Sequence, residues 1–102
     1  EAAQCANEQG KFWPYHDRLF VKGGALADAD LQQAAAEVGL DAGQFKSCVD
    51  SHKYKAQIDA DIQAGNEAGV SGTPSFFING ELIVGAVPFA TIDQAIQKAL
   101  NN

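Results

Sequence analysis

Few side chains in this sequence could do covalent chemistry, and their spacing narrows what that chemistry is. The two cysteines, Cys5 and Cys48, lie far apart and form no Cys-x-x-Cys pair. The two histidines, His16 and His52, stand at no ligand spacing to the cysteines, so neither a metal nor a cofactor is expected. The cysteines keep two readings: buried thiols that only pack, or a structural bridge formed in an oxidising compartment. Phosphate-cradling loops are missing, with neither Gly-x-Gly-x-x-Gly nor Gly-Lys-Ser/Thr in the chain. The pairs Asp28/Asp30 and Asp59/Asp61 read as solvated helix faces, not as acid–base partners. The most informative stretch is Gly69-Val70-Ser71-Gly72-Thr73-Pro74-Ser75-Phe76. Thr73-Pro74 stands directly before an apolar run, where proline is tolerated as the first residue of a strand. Here too two readings stay open. One is a trans proline that ends a loop; the other is a cis proline that exposes the Thr73 main chain to an extended peptide.

These residues must be positioned by a small frame. The chain has 102 residues, 46% of them hydrophobic and 20% charged, which fits one globular domain. Seven basic residues against thirteen acidic ones, with no basic cluster, argue against a nucleic-acid partner. The longest apolar runs, such as Phe76-Phe77-Ile78, are far too short to cross a bilayer. The start, Glu1-Ala2-Ala3-Gln4-Cys5-Ala6, has neither Met nor a capping residue, and suggests a boundary inside a longer protein.

Five helices are expected before any strand. The first runs to about Gln9 and stops at Gly10, where glycine suits the residue after a helix. The second covers about Phe12 to Val21, with Pro14 in its first turn and Phe12, His16, Leu19 and Phe20 on one face. The third spans roughly Asp28 to Val38, with Leu31, Ala34, Ala35 and Val38 inward. Asp41-Ala42-Gly43-Gln44 matches a capping box and opens a fourth helix carrying Phe45, Cys48 and Val49. The fifth follows Ser51 and ends at Gly69, with Tyr54, Ile58, Ile62 and Gly65 in one stripe.

Then the pattern changes. Ser75–Ile78 and Glu81–Val84 flank Asn79-Gly80, the strongest short hairpin signal. Both runs are apolar on both faces, as in a sheet covered by helices on each side. A last helix starts at Pro88 and puts Phe89, Ile92, Ile96 and Leu100 on one side. A lone hairpin of this kind is marginal in water, so its edge should be paired, by residues upstream of Glu1 or by another copy through strand exchange.

The motif Gly69 to Gly80, with Ile83-Val84-Gly85-Ala86, resembles the cis-Pro strand and hairpin of DsbA-like thiol–disulfide oxidoreductases. The stretch from Cys5 to Phe20, including Phe12-Trp13-Pro14-Tyr15-His16-Asp17, is similar to their inserted helical subdomain, as are Gly39-Leu40-Asp41, Phe45, Cys48 and the run Asp61 to Gly69. The resemblance implies an α/β, thioredoxin-like fold of DsbA type. Residues 1–68 would be the helical insertion and 69–102 the C-terminal thioredoxin-fold portion, together one incomplete domain. It implies action on protein thiols outside the cytoplasm, in the periplasm or cell envelope or as a secreted protein. The family exchanges disulfides through a Cys-x-x-Cys at a helix N-terminus, where the thiol pKa is lowered. That pair, with its strands, should lie upstream of Glu1, so the chain alone should lack redox catalysis.

By the same resemblance Pro74 is the cis proline facing the redox pair, within a Gly72-Thr73-Pro74 substrate loop. Thr73 then pairs through its main chain with the substrate. Cys5 and Cys48 match positions inside the insertion, which implies a structural disulfide between the first and fourth helices. His16, on the apolar side of its helix, reads as a packing histidine more often than as a base; Trp13, Phe12 and Tyr15 either pack in the core or, with His16, line a substrate groove, packing being the commoner role. His52 and Lys53 read as a solvated helix start. Two rival functions remain: a non-catalytic peptide-binding module of the same fold, and a relative in the glutathione transferase kappa or isomerase branch. The residues encoded before Glu1 discriminate among the three.

Overall fold

The computed structural model describes residues 1–101. Six helices and two strands follow in order: α1 (Ala2–Asn7), α2 (Phe12–Lys22), α3 (Asp28–Glu37), α4 (Ala42–Asp50), α5 (Lys55–Glu67), β1 (Ser75–Ile78), β2 (Glu81–Val84) and α6 (Phe89–Leu100). The chain forms two compact units. The first is Glu1–Ala60 and the second begins at Asp61, so the division falls within α5, ahead of the 68/69 boundary drawn from sequence.

In the first unit α1 packs on α2 and α4, and α3 packs on α2 and α4. Its core consists of Ala2, Cys5, Ala6, Tyr15, Ala34, Ala35, Leu40, Phe45 and Cys48. Small residues dominate this list because alanines let helix backbones approach closely, while the Tyr15 and Phe45 rings fill the remaining volume at a centroid separation of 5.4 Å. Leu31 and Val38 flank buried Ala34 and Ala35 on α3, and Val49 flanks Phe45 and Cys48 on α4, matching the periodicity of each helix.

The α2 face is the main departure. Tyr15 is fully buried and Leu19 packs beside it, whereas Phe20 is 74% exposed and Trp13 66% exposed. Two rows leave Phe12 along the helix, one through Tyr15 and Leu19, the other through His16 and Phe20. Both have helical spacing, so only the neighbours choose between them. Tyr15 is selected because its hydroxyl reaches the Leu31 carbonyl of α3 at 3.1 Å, which satisfies the polar tip of a ring that fills the core.

Helix ends in this unit are closed by side chains and glycines. Asp41 caps α4 by accepting from the Gln44 N–H at 2.8 Å. The Lys11 ammonium donates to the carbonyls of Val38 at 3.0 Å and Gly39 at 3.3 Å, covering the otherwise open C-terminus of α3. Gly10 adopts φ +73, the left-handed geometry in which the chain leaves α1.

In the second unit β1 and β2 pair antiparallel in the register Ser75↔Val84, Phe76↔Ile83, Phe77↔Leu82 and Ile78↔Glu81. Asn79 and Gly80 both have positive φ, 51 and 83, the type I′ geometry that matches strand twist. Pro88 caps α6 with an extended backbone, one position earlier than the first-turn place read for it. Helix α6 lies against β1, and Ala95, Lys98 and Ala99 border a shallow hollow of about 200 Å³ with Ile78, Asn79 and Glu81. The opposite sheet face, Phe77, Leu82 and Val84, is open, Phe77 being 49% exposed. On α6, Phe89 is 82% exposed and Ile96 and Leu100 are also open. Among the described residues the sheet thus has two strands and one covered face, where the apolar pattern had pointed to cover on both.

Candidate functional site

The loop that enters β1 is built by its neighbours in the hairpin. The Thr73–Pro74 peptide bond is cis, Gly72 is half-buried, and Thr73 and Pro74 are exposed. The Gly85 N–H donates to the Pro74 carbonyl at 2.7 Å, one step beyond the ladder pair Ser75↔Val84. Two-residue hairpins close with a hydrogen-bonded pair, so Ile78/Glu81, Phe76/Ile83 and Pro74/Gly85 bond inward in alternation. The alternate residues Thr73, Ser75 and Phe77 therefore turn their main chains to the outer edge of β1. Among the described residues the Thr73 N–H and carbonyl have no partner in the chain. This is the arrangement by which an extended peptide adds to a strand.

Ser75 and Gly85, which hold this loop, were not singled out by sequence reasoning. The Ser75 hydroxyl donates to the Gly72 carbonyl. A serine three residues after a glycine is a recognisable turn signal, but it is too common to stand out. A Cβ placed on Gly72 would meet Val84 Cγ1 at 3.5 Å, an ordinary contact, so this glycine is not demanded by crowding.

Cys5 of α1 and Cys48 of α4 form a disulfide with a Cα–Cα distance of 5.8 Å, both residues being buried in the first unit's core. There are no free cysteines among the described residues. No group of three or more His, Cys, Asp or Glu side chains converges to hold a metal among those residues.

Trp13 and His16 are brought together on the outer face of α2. The His16 ring lies 5.1 Å from Trp13, 4.7 Å from Phe20 and 5.9 Å from Phe12, and its Nδ1 is 3.0 Å from the Asp17 carboxylate. Trp13 therefore does not pack in the core, and His16 sits in a half-exposed aromatic cluster. Tyr15, their neighbour in sequence, is a core residue instead, and burial pushes its phenol up to about 12. His52, in a left-handed backbone conformation between α4 and α5, pairs with the Glu1 carboxylate at 3.0 Å on the surface.

Comparison with known proteins fits this geometry. The sequence profile described as the DSBA-like thioredoxin domain matches residues 1–97, and the chain belongs to that family. A thioredoxin-like oxidoreductase from Silicibacter pomeroyi DSS-3 superposes with a TM-score of 0.80 at 29% identity, covering 99% of this chain and 58% of that one. The chain accordingly has an α/β, thioredoxin-like fold of DsbA type with a helical insertion. It is also 35% identical to Na(+)/H(+) antiporter NhaA 3 of Salinispora tropica and 31% identical to Na(+)/H(+) antiporter NhaA of Herminiimonas arsenicoxydans, over 97% and 94% of its length. The chain spans 15% and 16% of those two relatives. No helix among the described residues is long and apolar enough to cross a membrane.

Proposed function

We propose that this chain is the helical insertion and C-terminal part of a protein thiol–disulfide oxidoreductase acting outside the cytoplasm, with the redox Cys-x-x-Cys in a segment N-terminal to Glu1. The observation that carries the reading is the unpartnered Thr73 main chain at the head of β1, in a chain of the DSBA-like family. In the oxidising direction a substrate thiolate attacks one sulfur of the redox disulfide, forms a mixed disulfide and releases the other sulfur as a thiolate. A second substrate thiolate then displaces the first redox sulfur, so the substrate leaves oxidised and the enzyme reduced. Thr73 pairs with the peptide beside the reacting cysteine and so contributes to its capture. Trp13 and His16 offer an aromatic surface to the substrate's apolar side chains. The free edge of β1 beyond Thr73 receives a strand from the rest of the domain, and the open face of Phe77, Leu82 and Val84 takes a covering helix from it. In the isolated chain, a second copy takes that edge by strand exchange.

The test is disulfide transfer from the oxidised full-length protein to a reduced, unfolded protein, with the 102-residue chain as control. Transfer by the full-length protein and none by the chain alone supports the reading. A full-length protein without transfer, yet able to bind an extended peptide, would instead indicate the non-catalytic module.

The antiporter relatives favour a second reading, in which the domain is one part of a membrane transport protein. Immunodetection of the native protein separates the two. A band in washed membranes several times larger than the chain supports the second reading, and a soluble envelope protein supports the first.

A further inference from the structure

Two anchors hold the loop on either side of Thr73. Before it, the Gly72 carbonyl accepts from the Ser75 hydroxyl; after it, the Pro74 carbonyl accepts from the Gly85 N–H at 2.7 Å. A four-residue turn from Gly72 to Ser75 would ordinarily be closed by the Ser75 N–H. Here the side chain closes it, and by the ladder's alternation the Ser75 N–H is turned to the outer edge of β1. Pro74 has no N–H to offer, so the only substitute donor inside the turn is this hydroxyl or the Thr73 side chain, which is exposed. Ser75 itself is half-buried, opposite Val84, whose Cγ1 lies under Gly72. From this half-buried position the hydroxyl donates to the Gly72 carbonyl.

We propose that Ser75 is a positioning residue for substrate. Its hydroxyl fixes the Gly72 carbonyl, so the Thr73 main chain stays open to an extended polypeptide carrying the reacting cysteine. The inference rests on the oxidoreductase reading above. Without the hydroxyl the Gly72 carbonyl turns freely to water, while the Gly85 bond and the hairpin register remain. Binding therefore weakens and the chemical step, which belongs to the redox cysteines, does not.

The experiment is single-turnover disulfide transfer from the oxidised full-length protein to a synthetic peptide with two reduced cysteines, followed as a function of peptide concentration. Ser75→Ala should raise the half-saturating concentration about five- to tenfold, the worth of one net hydrogen bond, with the maximal rate within about twofold. Ser75→Thr should restore the wild-type value, and Ser75→Val, equal in shape to Thr but without the hydroxyl, should not. The Thr/Val pair isolates the hydroxyl even if the alanine variant is poorly folded. A purely structural role would lower the maximal rate and leave half-saturation alone. Unchanged half-saturation in the Ala and Val variants of an active protein overturns this inference only. Absence of transfer by the wild type overturns the oxidoreductase reading and the inference with it.

Discussion

The Gln9 side-chain amide grips the main chain of Asp41 from both sides. The Asp41 N–H donates to Gln9 Oε1 at 2.7 Å, and Gln9 Nε2 donates back to the Asp41 carbonyl at 3.2 Å. Asp41 is the cap of α4, so the turn that ends α1 is tied to the first turn of a helix more than thirty residues away. In a capping box the reciprocal bond to the cap's N–H comes from the third helical residue, here Gln44. Gln9 takes that place instead.

Replacement of Gln9 should therefore weaken the first unit although the residue is only half-buried. Gln9→Ala removes two hydrogen bonds, and a loss of about 1–2 kcal/mol is expected. Gln44→Ala should cost about 0.5 kcal/mol or less, since its amide makes no such bond. Urea midpoints of the two variants check the order; an inverted order would return the box to Gln44.

The disulfide closes a loop of 43 residues between α1 and α4. Chain entropy assigns such a loop about 4 kcal/mol of stabilisation. Reduction, or the double variant Cys5→Ala/Cys48→Ala, should lower stability by about that amount. Guanidinium unfolding with and without reductant measures it. A change below about 1 kcal/mol would mean that packing of α1 against α2 and α4 holds unaided.

Alkaline pH should act on the core through Tyr15. Burial raises its folded-state pKa to about 12, above the ordinary tyrosine value of 10.0, so the unfolded chain ionises first as pH rises. The stabilisation is complete below pH 10 and is lost between about 10 and 12, at up to about 1.4 kcal/mol per pH unit. Tyr15→Phe removes this titration and the bond to the Leu31 carbonyl, costing about 1 kcal/mol at neutral pH. The stability difference between wild type and Tyr15→Phe should shrink and then reverse above pH 10. Parallel curves would show that Tyr15 is solvated in the native state.

Two aromatic residues should separate cleanly by burial. Phe45 is 0% exposed beside Tyr15, and Phe45→Ala is expected to cost about 3–5 kcal/mol. Trp13 lies on the open face of α2, and Trp13→Ala should change stability by about 0.5 kcal/mol or less. In the full-length protein Trp13→Ala should instead weaken the capture of substrates with large apolar side chains. Thermal unfolding of both variants, with transfer kinetics for the second, tests the contrast.

Much of the frame was legible because it is decided locally. Gly10 follows α1, Asp41 opens α4, Asn79-Gly80 turns the hairpin, and the apolar spacing of α3 and α4 points Ala34, Ala35, Phe45 and Cys48 inward. In each case the backbone need of one position, or the 3.6-residue period of one helix, selects the residue type. The α2 face was not legible in this way. Phe12 begins two apolar rows at once, and the choice of Tyr15 over His16 depends on Phe45 and the Leu31 carbonyl, which the helix cannot know.

The same limit applies to the site. The position of Thr73-Pro74 ahead of an apolar strand is a property of neighbouring residues and is visible in the sequence alone. Which main-chain groups there stay open is set by the hairpin register, because Gly85 and Ser75 take the Pro74 and Gly72 carbonyls and leave Thr73. For Cys5 and Cys48 the residues by themselves left thiols or a bridge, and only the packing of α1 on α4 brings the two Cα atoms to 5.8 Å. Sequence determined the elements and the turn residues, which answer to short-range sterics. Tertiary structure decided which faces are buried and which polar groups are paired, since those depend on partners that the chain meets only after it folds.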